Sequence, residues 1–190
     1  MDQGVFYFYI FLGCSVLTYV LTRSIVVFSK RWKIMSLQDF RRRKQVQVPQ
    51  MGGLAIVSTI GIASLFLENS FLMNLLIVAS PIVVIGIVDD IYEISARTKM
   101  VGQLCSGMIF YHLCTSEAGF LYRLMPNQLM ILMGTVFTVL LIVNAFNFID
   151  GVDGLAISYS ILSIIGLTFV GQFSLESTIP ILGAFVAFGS

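Results

Sequence analysis

Three stretches of this 190-residue sequence gather residue types that can do chemistry, and all three interrupt runs of apolar residues. The first is GIVDDIYEISARTK, residues 86–99, where Asp89 and Asp90 are adjacent and Glu93 follows one helical turn later. Hard carboxylate oxygens grouped in this way suit Mg²⁺, which takes one or two protein carboxylates and completes its shell with water and phosphate. The alternative is an acidic pair solvated at a membrane interface and neutralised by Arg97 and Lys99. The second is NAFNFIDGVDG, residues 144–154, in which Asn144, Asn147, Asp150 and Asp153 recur every three residues. Each such step rotates by about 60° from a common face at 100° per residue, so a straight helix cannot bring all four together. A helix ending near Asn147, followed by a loop bent at Gly151 and Gly154, would converge them on one pocket. Capping of the following helix by Asp150 or Asp153 is the simpler alternative, but it needs only one such residue. The third is RRRKQVQVPQMGG, residues 41–53. Arg43 and Lys44 in its basic cluster supply positive charge, and Gly52 and Gly53 allow backbone N–H groups to approach an anion at a helix N-terminus. The same pattern also serves as a topology anchor followed by a permissive helix start.

The elements that must carry these stretches follow from composition. Hydrophobic residues make up 57% of the chain and charged residues 11%, against roughly 25% charged in an ordinary soluble domain. Apolar stretches lie around 5–28, 53–67, 71–88, 101–116, 127–148, 155–172 and 178–190. Backbone polar groups in hydrocarbon must be satisfied within their own segment, so these runs predict helices, and nothing shows the alternation of a membrane barrel. The expected fold is all-α: a polytopic membrane helical bundle of six to seven helices, forming one membrane domain over 1–190. The last run is short for a bilayer of about 30 Å, has Pro180 near its start, and is expected to belong to a longer bundle.

Charge placement sets the expected orientation. Every Lys and Arg except Arg123 falls at the end of the first helix, in the loop after it, or after the third helix. Basic residues accumulate on the cytoplasmic side, which puts the N-terminus outside and all three chemical stretches inside. A net charge of +1 gives no reason to expect nucleic acid as a partner. Cys14, Cys105 and Cys114 lie inside apolar runs without metal-ligand spacing and suggest no redox role. His112 stands alone and reads as an interhelical residue.

VPQMGG after a basic loop, VDDIYEIS followed by Lys99 and a GQ pair, and NAFNFIDGVDGLA together resemble the polyprenyl-phosphate N-acetylhexosamine-1-phosphate transferases. The resemblance spans about residues 39–155 in family order, and its NxxNxxDGxDGLA segment is highly specific. It implies an enzyme of the bacterial plasma membrane that transfers N-acetylhexosamine-1-phosphate from a UDP-N-acetylhexosamine to a polyprenyl phosphate such as undecaprenyl phosphate. UMP is released, and a cell-envelope glycan is begun. The implied cofactor is Mg²⁺, with Mn²⁺ as the alternative ion, and a homodimer is the assembly to expect. By resemblance Asp89 and Asp90 are catalytic and hold the metal together with Asn147. Asn144, Asp150, Asp153, Lys99, Arg43, Lys44, Gly52 and Gly53 would contact substrate. Glu93 and Lys44 depart from the residues many members carry. The resemblance also implies a further acidic segment and a basic loop beyond residue 190, so the chain alone is expected not to turn over.

Two other classes group acids in membranes. An Asp-rich membrane prenyltransferase would show an NDxxD pattern that is absent here. An ion-coupled transporter would place its acids near the bilayer midplane, whereas these fall at expected cytoplasmic helix ends.

Overall fold

The computed structural model describes residues 2–32, 35–37, 47–49, 51–92, 94–113, 127–149 and 154–189. Within them lie seven helices: α1 (Gln3–Trp32), α2 (Gly53–Phe66), α3 (Ser70–Tyr92), α4 (Ala96–Leu113), α5 (Gln128–Ile149), α6 (Leu155–Phe169) and α7 (Leu175–Phe188). Each corresponds to one of the seven apolar runs, and the fold is an all-α membrane helical bundle. After α1 comes a three-residue antiparallel ladder, β1 (Met35–Leu37) with β2 (Gln47–Pro49), where the sequence suggests only a loop. Val46 and Val48 alternate with glutamines there, a β-compatible pattern that the charge of the neighbouring segment obscures.

α1, α3 and α5 are long and apolar enough to cross a membrane. Their large side chains point outwards, as Phe8, Phe28, Val84, Met133 and Phe137 do. Many of the residues buried between helices are small and polar: Thr18 and Ser29 of α1, Thr59 of α2, Ser106 of α4 and Thr135 of α5 are nearly inaccessible. Lipid is as apolar as leucine, so association there rests on close packing and interhelical hydrogen bonds, and small or hydroxyl residues collect at the contacts.

Contacts divide the chain into two compact units, residues 1–72 with 157–190, and residues 73–156. In the first, α1 packs on α7 and α2. The Thr18 and Thr59 hydroxyls meet at 2.7 Å, and Thr59 donates onward to the Ala55 carbonyl at 2.9 Å. Gly183 of α7 lies so close to α1 that a Cβ there would stand 2.8 Å from the Phe11 carbonyl oxygen. Asn69 starts α3 by accepting from the Leu72 N–H at 3.0 Å, while its amide donates to the Ser177 hydroxyl at 3.1 Å. α7 starts at Leu175, earlier than the apolar run, because Ser174 caps it by accepting from the Ser177 N–H at 3.3 Å. Pro180 is therefore inside the helix and not in its first turn.

The second unit is built around α4. Its N-terminus is fixed by Ser95, whose hydroxyl accepts from the Thr98 N–H at 3.4 Å. One face of α4 meets α3, where a Cβ on Gly102 would stand 3.1 Å from the Pro81 carbonyl oxygen. Gly107 meets α5, where a Cβ would lie 3.0 Å from the Cα of Val136. Pro81 lies inside α3 and has no N–H for the Ile77 carbonyl. The Ser80 hydroxyl donates to that carbonyl at 2.8 Å, and Ser106 of α4 donates to the next one, Val78, at 2.6 Å. Hydroxyls from the same and the neighbouring helix thus serve the carbonyls one turn before Pro81, as hydrocarbon requires.

Candidate active site

The C-terminal ends of α3 and α5 and the first turns of α4 border a cavity of about 340 Å³ within the second unit. Its polar lining is Asp89, Lys99, Gln103 and Asn147, and its apolar lining includes Ile82, Ile85, Val143 and Phe146. Asp89 comes from the last turn of α3, Lys99 and Gln103 from successive turns of α4, and Asn147 from the last turn of α5.

Asp89 uses its two oxygens differently. Oδ1 accepts from the Ile94 N–H at 3.1 Å and fixes the chain as it leaves α3. Oδ2 faces the Lys99 ammonium at 2.6 Å, with both side chains partly exposed. A cation and an anion are therefore held at the mouth of an apolar helix cluster, and each retains an accessible side. Asp90 is half-buried beside them.

α5 runs to Ile149, slightly past the expected end near Asn147. Asn144 and Asn147 therefore share one helix, about 60° apart around its axis. Asn147 lines the cavity, whereas the Asn144 Nδ2 donates to Gln103 Oε1 and to the Leu140 carbonyl, both at 2.8 Å. Gly154 has φ +74°, the left-handed bend expected before α6. Asp150, Asp153, Gly151, Glu93, Arg43 and Lys44 lie outside the described residues.

Gly52 and Gly53 belong to the other unit. A Cβ at Gly52 would stand 2.9 Å from the ring of Phe188, so this position accommodates a phenyl group, while Gly53 is open. Among the described residues no three His, Cys, Asp or Glu side chains cluster.

Residues 72–189 match the model of glycosyl transferase family 4. The chain belongs to that family. Within it, the undecaprenyl-phosphate alpha-N-acetylglucosaminyl 1-phosphate transferase of Escherichia coli K12 is 30% identical over 164 residues, which cover 77% of this chain and 43% of the relative. The protein of the same name from Thermotoga maritima is 28% identical, covering 87% of this chain and 52% of its own length. The decaprenyl-phosphate N-acetylglucosaminephosphotransferase of Mycobacterium tuberculosis H37Rv is 25% identical, covering 82% and 43%. The chain thus spans about half the length of the curated relatives it matches.

Set in this family, the cavity contains three of the expected residues, Asp89, Lys99 and Asn147, and one to which sequence reasoning assigned no role. Gln103 was visible only as part of a GQ pair. Two signals could have found it: a long polar side chain within an apolar run, and i, i+4 spacing from Lys99, which puts both on one helix face.

Proposed function

We propose that this protein transfers N-acetylhexosamine-1-phosphate from a UDP-sugar to a membrane polyprenyl phosphate. An oxygen of the lipid phosphate attacks the β-phosphorus, the bond from that phosphorus to the bridging oxygen breaks, and UMP leaves. The observation that carries this reading is the Asp89–Lys99 pair facing one cavity with Asn147, at helix ends of an otherwise apolar family 4 chain.

The reaction brings two anionic phosphates together, so positive charge and aligned donors must offset their repulsion. Lys99 provides an ammonium whose partner, Asp89, also holds it at the cavity mouth. Asp89 and Asp90 orient the lipid phosphate and accept its proton. Asn144, Asp150 and Asp153 shape the nucleotide-sugar pocket, and Arg43, Lys44, Gly52 and Gly53 add phosphate contacts. The donor chemistry of the cavity suits Mg²⁺: Asp89 keeps unused lone pairs on both oxygens, Asn147 adds an amide oxygen, and this ion needs few protein ligands when phosphates complete its shell. Bound there, Mg²⁺ would neutralise charge between the phosphates. The basic loops face the cytoplasm in this reading, where UDP-sugars are available.

The test is transfer in membranes from cells expressing the complete gene, supplied with Mg²⁺, undecaprenyl phosphate and radiolabelled UDP-N-acetylglucosamine. UMP release that depends on the lipid is expected. Ion flux without any lipid-linked sugar would favour the transporter class instead.

A further inference from the structure

We propose that Gln103 donates a hydrogen bond to a phosphate oxygen of the substrate, with Asn144 as the group that aims it; this rests on the transfer reading above. A hydrogen-bond chain with a fixed direction carries the inference. The Leu140 carbonyl can only accept, so the Asn144 side-chain atom 2.8 Å from it is the nitrogen. That nitrogen can only donate, so the Gln103 atom 2.8 Å from it is the oxygen. The orientation of both amides is thereby determined by one backbone carbonyl, and the Gln103 Nε2 is left to point elsewhere.

Gln103 is only 7% exposed, yet its Nε2 has no hydrogen-bond partner among the described residues. It is not sealed off either, since among the described residues the buried side-chain atoms without a partner are the hydroxyls of Thr22 and Thr135. Gln103 lines the cavity bordered by Asp89, Lys99 and Asn147, and this is the space its two N–H groups can reach. Two N–H donors that face a cavity without a protein acceptor are open to an oxygen of a bound ligand. The groups facing that space favour a phosphate oxygen as the acceptor. Lys99 sits one turn earlier on the same face of α4, so an ammonium and an amide donor address the same cavity from one helix. Asp89 turns its oxygens to Lys99 and to the Ile94 N–H and takes no hydrogen bond from Gln103, whose donors are left for a bound anion.

Phosphate oxygens can come from the lipid phosphate or from the nucleotide diphosphate. The test measures binding of undecaprenyl phosphate and of UDP separately, to the protein made from its complete gene and held in lipid nanodiscs. Gln103→Met removes the donor without adding charge. Gln103→Glu removes the donor but keeps the oxygen that accepts from Asn144, a contact that the Met variant loses; the thermal midpoint of each is recorded alongside. Both variants are expected to weaken binding of the same phosphate ligand by at least about tenfold, the scale of one hydrogen bond to a charged group. The ligand affected identifies the source of the phosphate. Wild-type binding by either variant overturns the proposal: loss in Glu alone means charge repulsion, and loss in Met alone means that Gln103 only supports Asn144. A wild-type protein that binds neither ligand would instead remove the transfer reading itself.

Discussion

Asp89 performs two tasks that one substitution can separate. Its Oδ1 accepts from the Ile94 N–H, and its Oδ2 carries the charge that meets Lys99. Asp89→Asn keeps an oxygen for the first task and removes the charge from the second. Because both partners are partly exposed, the pair contributes at most about 1 kcal/mol to stability. The thermal midpoint should therefore change little, while transfer should fall by about 10² or more, as when a key electrostatic group is lost. Asp90→Asn should show the same division between fold and turnover. Assays of UMP release with parallel thermal scans check both, and near-normal turnover in the two variants would remove the aspartate pair from the mechanism. These residues were legible because a charge in an apolar run needs a reason. Gln103 was not, because its partner Asn144 lies 41 residues away and only the packing of α4 on α5 joins them.

At the scale of elements, α4 is the part on which the site depends. Gly107 has the backbone of Val136 against it, so Gly107→Leu forces α4 from α5 and should cost about 1–3 kcal/mol, read as a lower thermal midpoint in detergent. Ser106→Ala leaves the Val78 carbonyl without its hydroxyl donor and should cost about 1 kcal/mol by the same measurement. An unchanged midpoint in both would mean that α4 is positioned by something other than these contacts. The existence of the seven helices was legible because each needs a long apolar run, but their ends were less so. The first turn of α4 contains Arg97, Thr98 and Lys99 and was hidden by its polarity, although Ser95 caps it. α7 begins before Pro180 because Ser174 and Glu176 form a good helix start that hydropathy does not register.

For the whole molecule, the clearest expectation concerns which side of the membrane each helix end meets. α3 has 23 residues, about 35 Å at 1.5 Å each, so its ends emerge on opposite faces. On the proposed orientation, with the basic segments in the cytoplasm, a cysteine placed at Thr98 should resist an impermeant thiol reagent in intact cells, and one at Ser70 should react. The reverse pattern would invert the orientation. The two compact units share α3 and α6 across their boundary. The polarity of α4 has a further consequence, for biogenesis. This 18-residue helix carries Arg97, Lys99, Gln103, Ser106 and His112 and is not among the helices apolar enough to cross a membrane alone. During synthesis it emerges before α5, the partner that covers Gly107, and a translocon that sorts segments by apolarity has little reason to release it into lipid unaided. α4 is then expected to enter lipid in company with the neighbours it packs on, and the pocket that holds Lys99 and Gln103 is complete only once α5 has joined it.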